Sequence, residues 1–150
     1  MVWCRLPKLR NMHLAINNIS PIGLELLLST MRHQLPDLKG FSVGSTVSWL
    51  AAAGSWQQLG VMTQLTRLDI QLPQYDNCLP TSPPWSPDTD SVTKAFQWRD
   101  IASLAGLTQL QLLALAGNSA CGHHPHSGLG FLGKMTALTD LHLDVPLGHT

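Results

Sequence analysis

The sequence predicts an α/β solenoid of about five strand-and-return units, with parallel strands on the concave face and helices on the convex face. Three observations carry this. The pattern L-x-x-L-x-x-L-x-L-x-x-N, complete over Leu107, Leu110, Leu113, Leu115 and Asn118, recurs along the chain. Its second apolar position falls at Leu9, Leu38, Leu65, Leu110 and Leu138, at intervals of 29, 27, 45 and 28 residues. Between copies, apolar residues return at helical spacing, whereas within each copy they alternate as in a strand.

The elements follow in order. Repeat one, LPKLRNMHLAIN, places Leu6, Leu9, Met12 and Leu14 at the apolar positions and Asn17 at the closing turn. Ser20 can then cap a helix with Pro21 at its first position, and Leu24, Leu27, Leu28 and Met31 predict that helix over residues 21 to 34. Repeat two, LPDLKGFSVGST, keeps Leu35, Leu38, Phe41 and Val43 but has Thr46 for Asn. The helix-prone segment VSWLAAAGSWQQLG follows, weakened by Gly54. Repeat three, MTQLTRLDIQLP, carries Met62, Leu65, Leu68 and Ile70 and ends at Pro73.

The long interval exceeds its neighbour by 17 residues, and those residues have a home in the polar, proline-rich stretch at about 74–91, an insertion without a core of its own. Asp90 or Ser91 can cap a helix towards Leu104, with Val92, Phe96 and Ile101 facing inward. After repeat four, a return containing Phe131 and Leu132 leads to repeat five, MTALTDLHLDVP, with Met135, Leu138, Leu141 and Leu143. The whole of 1–150 reads as one domain.

Each strand's period of two sends Leu113 and Leu115 inward and Leu112, Ala114 and Ala116 to the other face. Connections of more than a dozen residues allow consecutive strands to pair in parallel while their returns cover the inner side. Units of 27 to 29 residues with helical returns resemble the ribonuclease-inhibitor-like class of the leucine-rich repeat family over roughly residues 3 to 146, strongly in every repeat but the second. The resemblance implies a non-catalytic module, a scaffold that binds a protein through its concave face. The alternative is a structural fragment of a longer leucine-rich repeat receptor or ubiquitin-ligase adaptor that associates through its uncapped ends. The expectation of uncapped ends rests on repeat one beginning near Met1 and on the chain stopping seven residues after Leu143.

Composition narrows the classes. Nine basic and nine acidic residues cancel, so neither a nucleic-acid footprint nor a polybasic membrane patch is expected, and zero net charge favours self-association. Charged residues are only 12%, about half the roughly 25% of an ordinary soluble domain. Cys4, Cys78 and Cys121 are few and scattered, which argues against a disulfide framework and for a reducing compartment, the cytoplasm favoured. Residues 1 to 24 carry Arg5, Lys8 and Arg10 and no acid until Glu25, as a transit peptide would, yet they already fit the repeat.

Several motifs resemble chemistry. Gly40-Phe41-Ser42-Val43-Gly44 satisfies G-x-S-x-G, but the repeat already accounts for Phe41 and Val43 as inward positions. Gly128 to Gly133 satisfies G-x-G-x-x-G without the strand a dinucleotide site needs before it. Cys121, His123, His124 and His126 are plausible metal ligands, but no second pair is in sight, and a solvated loop is the preferred reading. Ser82-Pro83 and Ser86-Pro87 offer phosphorylation sites beside a plain turn reading, and Asn18-Ile19-Ser20 is a sequon that matters only in a secreted chain. Trp98 is expected to pack a helix and Trp85 to stand as an exposed anchor. No catalytic group, cofactor or metal is therefore assigned.

The displayed strand face is the candidate site. Its expected protein-binding residues are Asn11, His13, Arg67, Asp69, Gln71, Leu112, Asp140, His142 and Asp144, mixed charges around the apolar strip of repeat four.

Overall fold

The computed structural model describes residues 6–16, 21–45, 53–71, 101–116 and 129–144. The chain contains a five-stranded, all-parallel sheet in the order β1-β2-β3-β4-β5, so every strand pairs with its neighbours in sequence. The strands are β1 (Asn11–Ile16), β2 (Gly40–Ser45), β3 (Arg67–Gln71), β4 (Leu112–Ala116) and β5 (Asp140–Asp144). Among the described residues, the returns contain two α-helices, α1 (Pro21–Gln34) and α2 (Ala53–Gly60), and two 3-10 helices, Ala102–Gly106 and Leu129–Lys134.

Why the L-x-x-L spacing recurs is visible in the backbone. In all five units the second apolar residue donates its N–H to the carbonyl of the first, Leu9 to Leu6, Leu38 to Leu35, Leu65 to Met62, Leu110 to Leu107 and Leu138 to Met135, at 3.0–3.2 Å. That turn brings two apolar side chains to one side and delivers the chain into the next strand. A second device then fixes register. The carbonyls of Arg10, Lys39, Thr66 and Gln111 each accept two N–H groups from the following unit, as when Lys39 and Gly40 both donate to Arg10 at 2.7 and 2.8 Å. The Thr66 and Thr139 hydroxyls add donations to the Lys39 and Gln111 carbonyls at 3.2 and 3.1 Å.

Identical entry into every strand gives an unshifted register: Met12, Phe41, Leu68, Leu113 and Leu141 align across the sheet, as do Leu14, Val43, Ile70, Leu115 and Leu143. These two rows face the core, where they meet Leu24, Leu28 and Met31 of α1, Trp56 and Leu59 of α2, and Ile101, Leu104 and Phe131 of the later returns. Trp56, 0% exposed, is the largest fully buried side chain among the described residues. Burial of each such side chain contributes about 1.5–3 kcal/mol.

The returns pack closely because of glycines. A Cβ on Gly60, the last residue of α2, would run into the Ser103 carbonyl of the next return, so only glycine permits this approach. Gly54, expected to weaken the middle of a helix, instead lies in the first turn of α2, where a Cβ would collide with the Glu25 carboxylate of α1.

Some expectations differ from the structure or fall beyond it. The helix at residues 21–34 forms as the spacing predicts. That after repeat two is described only from Ala53, and of the one ending near Leu104 only Ile101 onward is described, as a last helical residue followed by a 3-10 turn. Val92, Phe96, Trp85, Trp98 and the 74–91 insertion lie outside the described residues. Leu141 keeps its core-side register yet is 42% exposed, since no further strand of the described sheet lies beyond β5.

Two substitutions test this packing in opposite directions. Gly60→Ala is expected to lower unfolding stability by about 1–3 kcal/mol, because the added methyl must displace backbone. Ser55, buried in α2 with no hydrogen-bond partner for its hydroxyl among the described residues, predicts that Ser55→Ala is neutral or stabilising by up to about 1 kcal/mol. Urea denaturation of both variants checks the signs.

Candidate functional site on the strand face

The sheet turns three rows of side chains away from the core. Cross-strand register aligns Asn11, Gly40, Arg67, Leu112 and Asp140 in the first, and His13, Ser42, Asp69, Ala114 and His142 in the second. The third holds Ala15, Gly44, Gln71, Ala116 and Asp144. All nine expected binding residues therefore stand on one surface, although 133 positions separate Asn11 from Asp144 in the chain. At a strand spacing of ~4.8 Å, the second row runs about 19 Å from His13 to His142.

The surface is relieved by residue size. An open depression of about 530 Å³ crosses the sheet, lined by Asn11, His13, Arg67, Asp69, Leu112 and His142 among others. β2 contributes its floor, but its glycines are not empty ground. A Cβ on Gly40 would overlap the Asn11 amide oxygen, and one on Gly44 would come 3.1 Å from the Gln71 amide oxygen. The two amide side chains thus lie across β2 from either side, and Gly40 is buried beneath Asn11. Counting alternate residues places these glycines on the displayed face; it does not reveal that they serve as seats for Asn11 and Gln71.

Between those seats, Ser42 and His13 share a hydrogen bond of 2.9 Å between Oγ and Nδ1. A serine bonded to an imidazole invites a nucleophilic reading, and G-x-S-x-G raises the same suggestion from sequence. The geometry differs from a nucleophile elbow, however, because Gly40–Gly44 runs along a regular parallel strand instead of a strand-to-helix turn. Nor is the order that of a catalytic triad. Asp69 adjoins Ser42 on its far side, two strands from His13, and so cannot orient the imidazole.

Charge is carried by Arg67, Asp69, Asp140 and Asp144. Arg67 is exposed and Asp69 half-buried, two residues apart on β3, and among the described residues neither has a side-chain partner. Asp140 shares the single Thr139 hydroxyl proton with the Gln111 carbonyl, its carboxylate being the nearer acceptor at 2.8 Å against 3.1 Å. Leu112 and Ala114, both half-buried, lie between β3 and the acidic β5 and form the apolar strip.

Among the described residues no group of three His, Cys, Asp or Glu side chains converges as a metal set. Cys121, His123, His124, His126, Gly128, Ser82, Ser86 and the Asn18 sequon lie outside the described residues. No described helix is long and apolar enough to cross a membrane. Neither a protein-family model, nor a curated protein, nor a solved structure matches the chain.

The exposed Ser42–His13 bond sets an expectation. In a double-mutant cycle, Ser42→Ala and His13→Ala should show a coupling energy of about 0.5–1.5 kcal/mol in unfolding stability, the net worth of one hydrogen bond. A coupling near zero would mean that the two side chains are solvated separately.

Proposed function

We propose that this chain is a leucine-rich repeat array of the ribonuclease-inhibitor-like class, acting as a non-catalytic module that binds a protein partner on its displayed strand face. One observation carries the reading. Arg67 and Asp69, opposite charges with no partners among the described residues, sit beside the apolar Leu112 and Ala114 in an open depression that spans the sheet. Unpaired charges around an apolar centre suit a protein surface, which can pair each of them while covering the leucine. The depression is lined from β1 to β5, a span that an extended segment of several residues, each reaching ~3.3 Å, would cover. The family assignment itself is supported by the recurring L-x-x-L turn and the sequential strand order. Catalysis, a cofactor or a metal has no part in this proposal, and neither does nucleic acid or a membrane.

The test is affinity capture from source lysate with the wild-type chain and with Arg67→Ala/Asp69→Ala/Asp144→Ala, at matched circular dichroism. Specific proteins retained by the first and lost from the second are the expected result. For any partner so found, Leu112→Asp should weaken binding at least tenfold, about 1.4 kcal/mol. Identical retention by both chains would overturn the reading.

A further inference from the structure

The two edges of the described sheet are complementary to each other. At each internal junction, the N–H groups of two consecutive residues converge on the carbonyl just before the preceding strand: Arg10, Lys39, Thr66 and Gln111 are the acceptors, and Asp140 is among the last donors. The Thr139 carbonyl stands at the equivalent place on the β5 side, and the N–H groups of Arg10 and Asn11 stand at the equivalent place on the β1 side. Among the described residues none of these has a partner. In a parallel ladder alternate residues bond to opposite neighbours, so the N–H groups of Asn11, His13 and Ala15 point away from β2, and the carbonyls of Leu141 and Leu143 point away from β4.

We propose that the chain associates with copies of itself end to end, the β1 edge of one copy adding in parallel to the β5 edge of the next. The step that relates β4 to β5 would then relate β5 to β1 of the second copy. Met12 of the incoming copy would lie beside Leu141, which has core-side register yet is 42% exposed. The Asn11 amide would stand beside the Asp140 carboxylate and could donate to it. Zero net charge removes the long-range repulsion that would keep copies apart. Because the two edges differ, the contact is heterologous and does not close on itself, so it generates an open series of oligomers instead of a symmetric dimer. This inference concerns the edges and stands independently of a partner on the strand face.

Sedimentation velocity on the full chain over a range of concentrations tests it, with two variants that each block one edge. Ala15→Pro removes an outward N–H from β1 without touching the β1–β2 ladder, and Leu141→Lys places a charge on an already exposed position of β5. Circular dichroism and urea midpoints establish that both fold. Wild type is expected to grow in mass with concentration without stopping at two copies. Each variant alone should remain monomeric, and an equimolar mixture of the two should stop at twice the monomer mass, joined through the one intact pair of edges. A monomeric wild type overturns the proposal. So does association that persists in either variant alone, which would indicate a face-to-face dimer or another surface. An equimolar mixture that stays monomeric while wild type associates also overturns it.

Discussion

The doubly accepting carbonyl at each strand entrance is the constraint on which the remaining structure depends. A parallel pair slipped by one residue would turn every core leucine outward, and register is weakly specified in strands that carry glycine, as β2 does at Gly40 and Gly44. Here two N–H groups from each unit converge on a single oxygen of the unit before, at 2.7 to 3.1 Å, the second of them being the first rung of the ladder. The L-x-x-L turn immediately upstream holds those donors in place. Register is thereby set at the entrance, and the two apolar rows and three displayed rows follow from it.

That constraint also explains how the site can be discontinuous in sequence yet continuous in space. Returns as different as the 14-residue α1 and the five-residue 3-10 turn at Ala102–Gly106 feed strands that enter at the same height. The 45-residue interval between the third and fourth units leaves the register unchanged as well, since β3 and β4 pair without a shift. Distant residues such as Asp69 and His142 consequently share a row. What each row can do is then a matter of local size: glycine on β2 lets Asn11 and Gln71 lie down, alanine on β4 opens the depression, and leucine at position 112 makes its middle apolar.

The displayed face and the sheet edges present different physics. On the face, side chains carry the chemistry, and recognition rests on how a partner meets Arg67, Asp69 and Leu112. At the edges the backbone carries it, with side chains such as Leu141 supplying the apolar contact. The scarcity of charge in the chain leaves these backbone edges with little of the lysine-rich protection that edge strands commonly carry.

The alternation of leucines by itself determined that there would be five parallel strands, which residues each would turn to the core side and which nine would share a face, because a period of two is a local property of the backbone. It also determined α1, whose apolar spacing and Pro21 start are equally local. Only the tertiary structure decided that Gly40 is a seat for Asn11, that Ser42 bonds His13 from 29 residues away, that Gly60 touches Ser103, and that Leu141 remains exposed despite its core-side position. Each of these depends on what lies on the neighbouring unit, and a pattern that records which way a side chain points carries no information about what it will meet there.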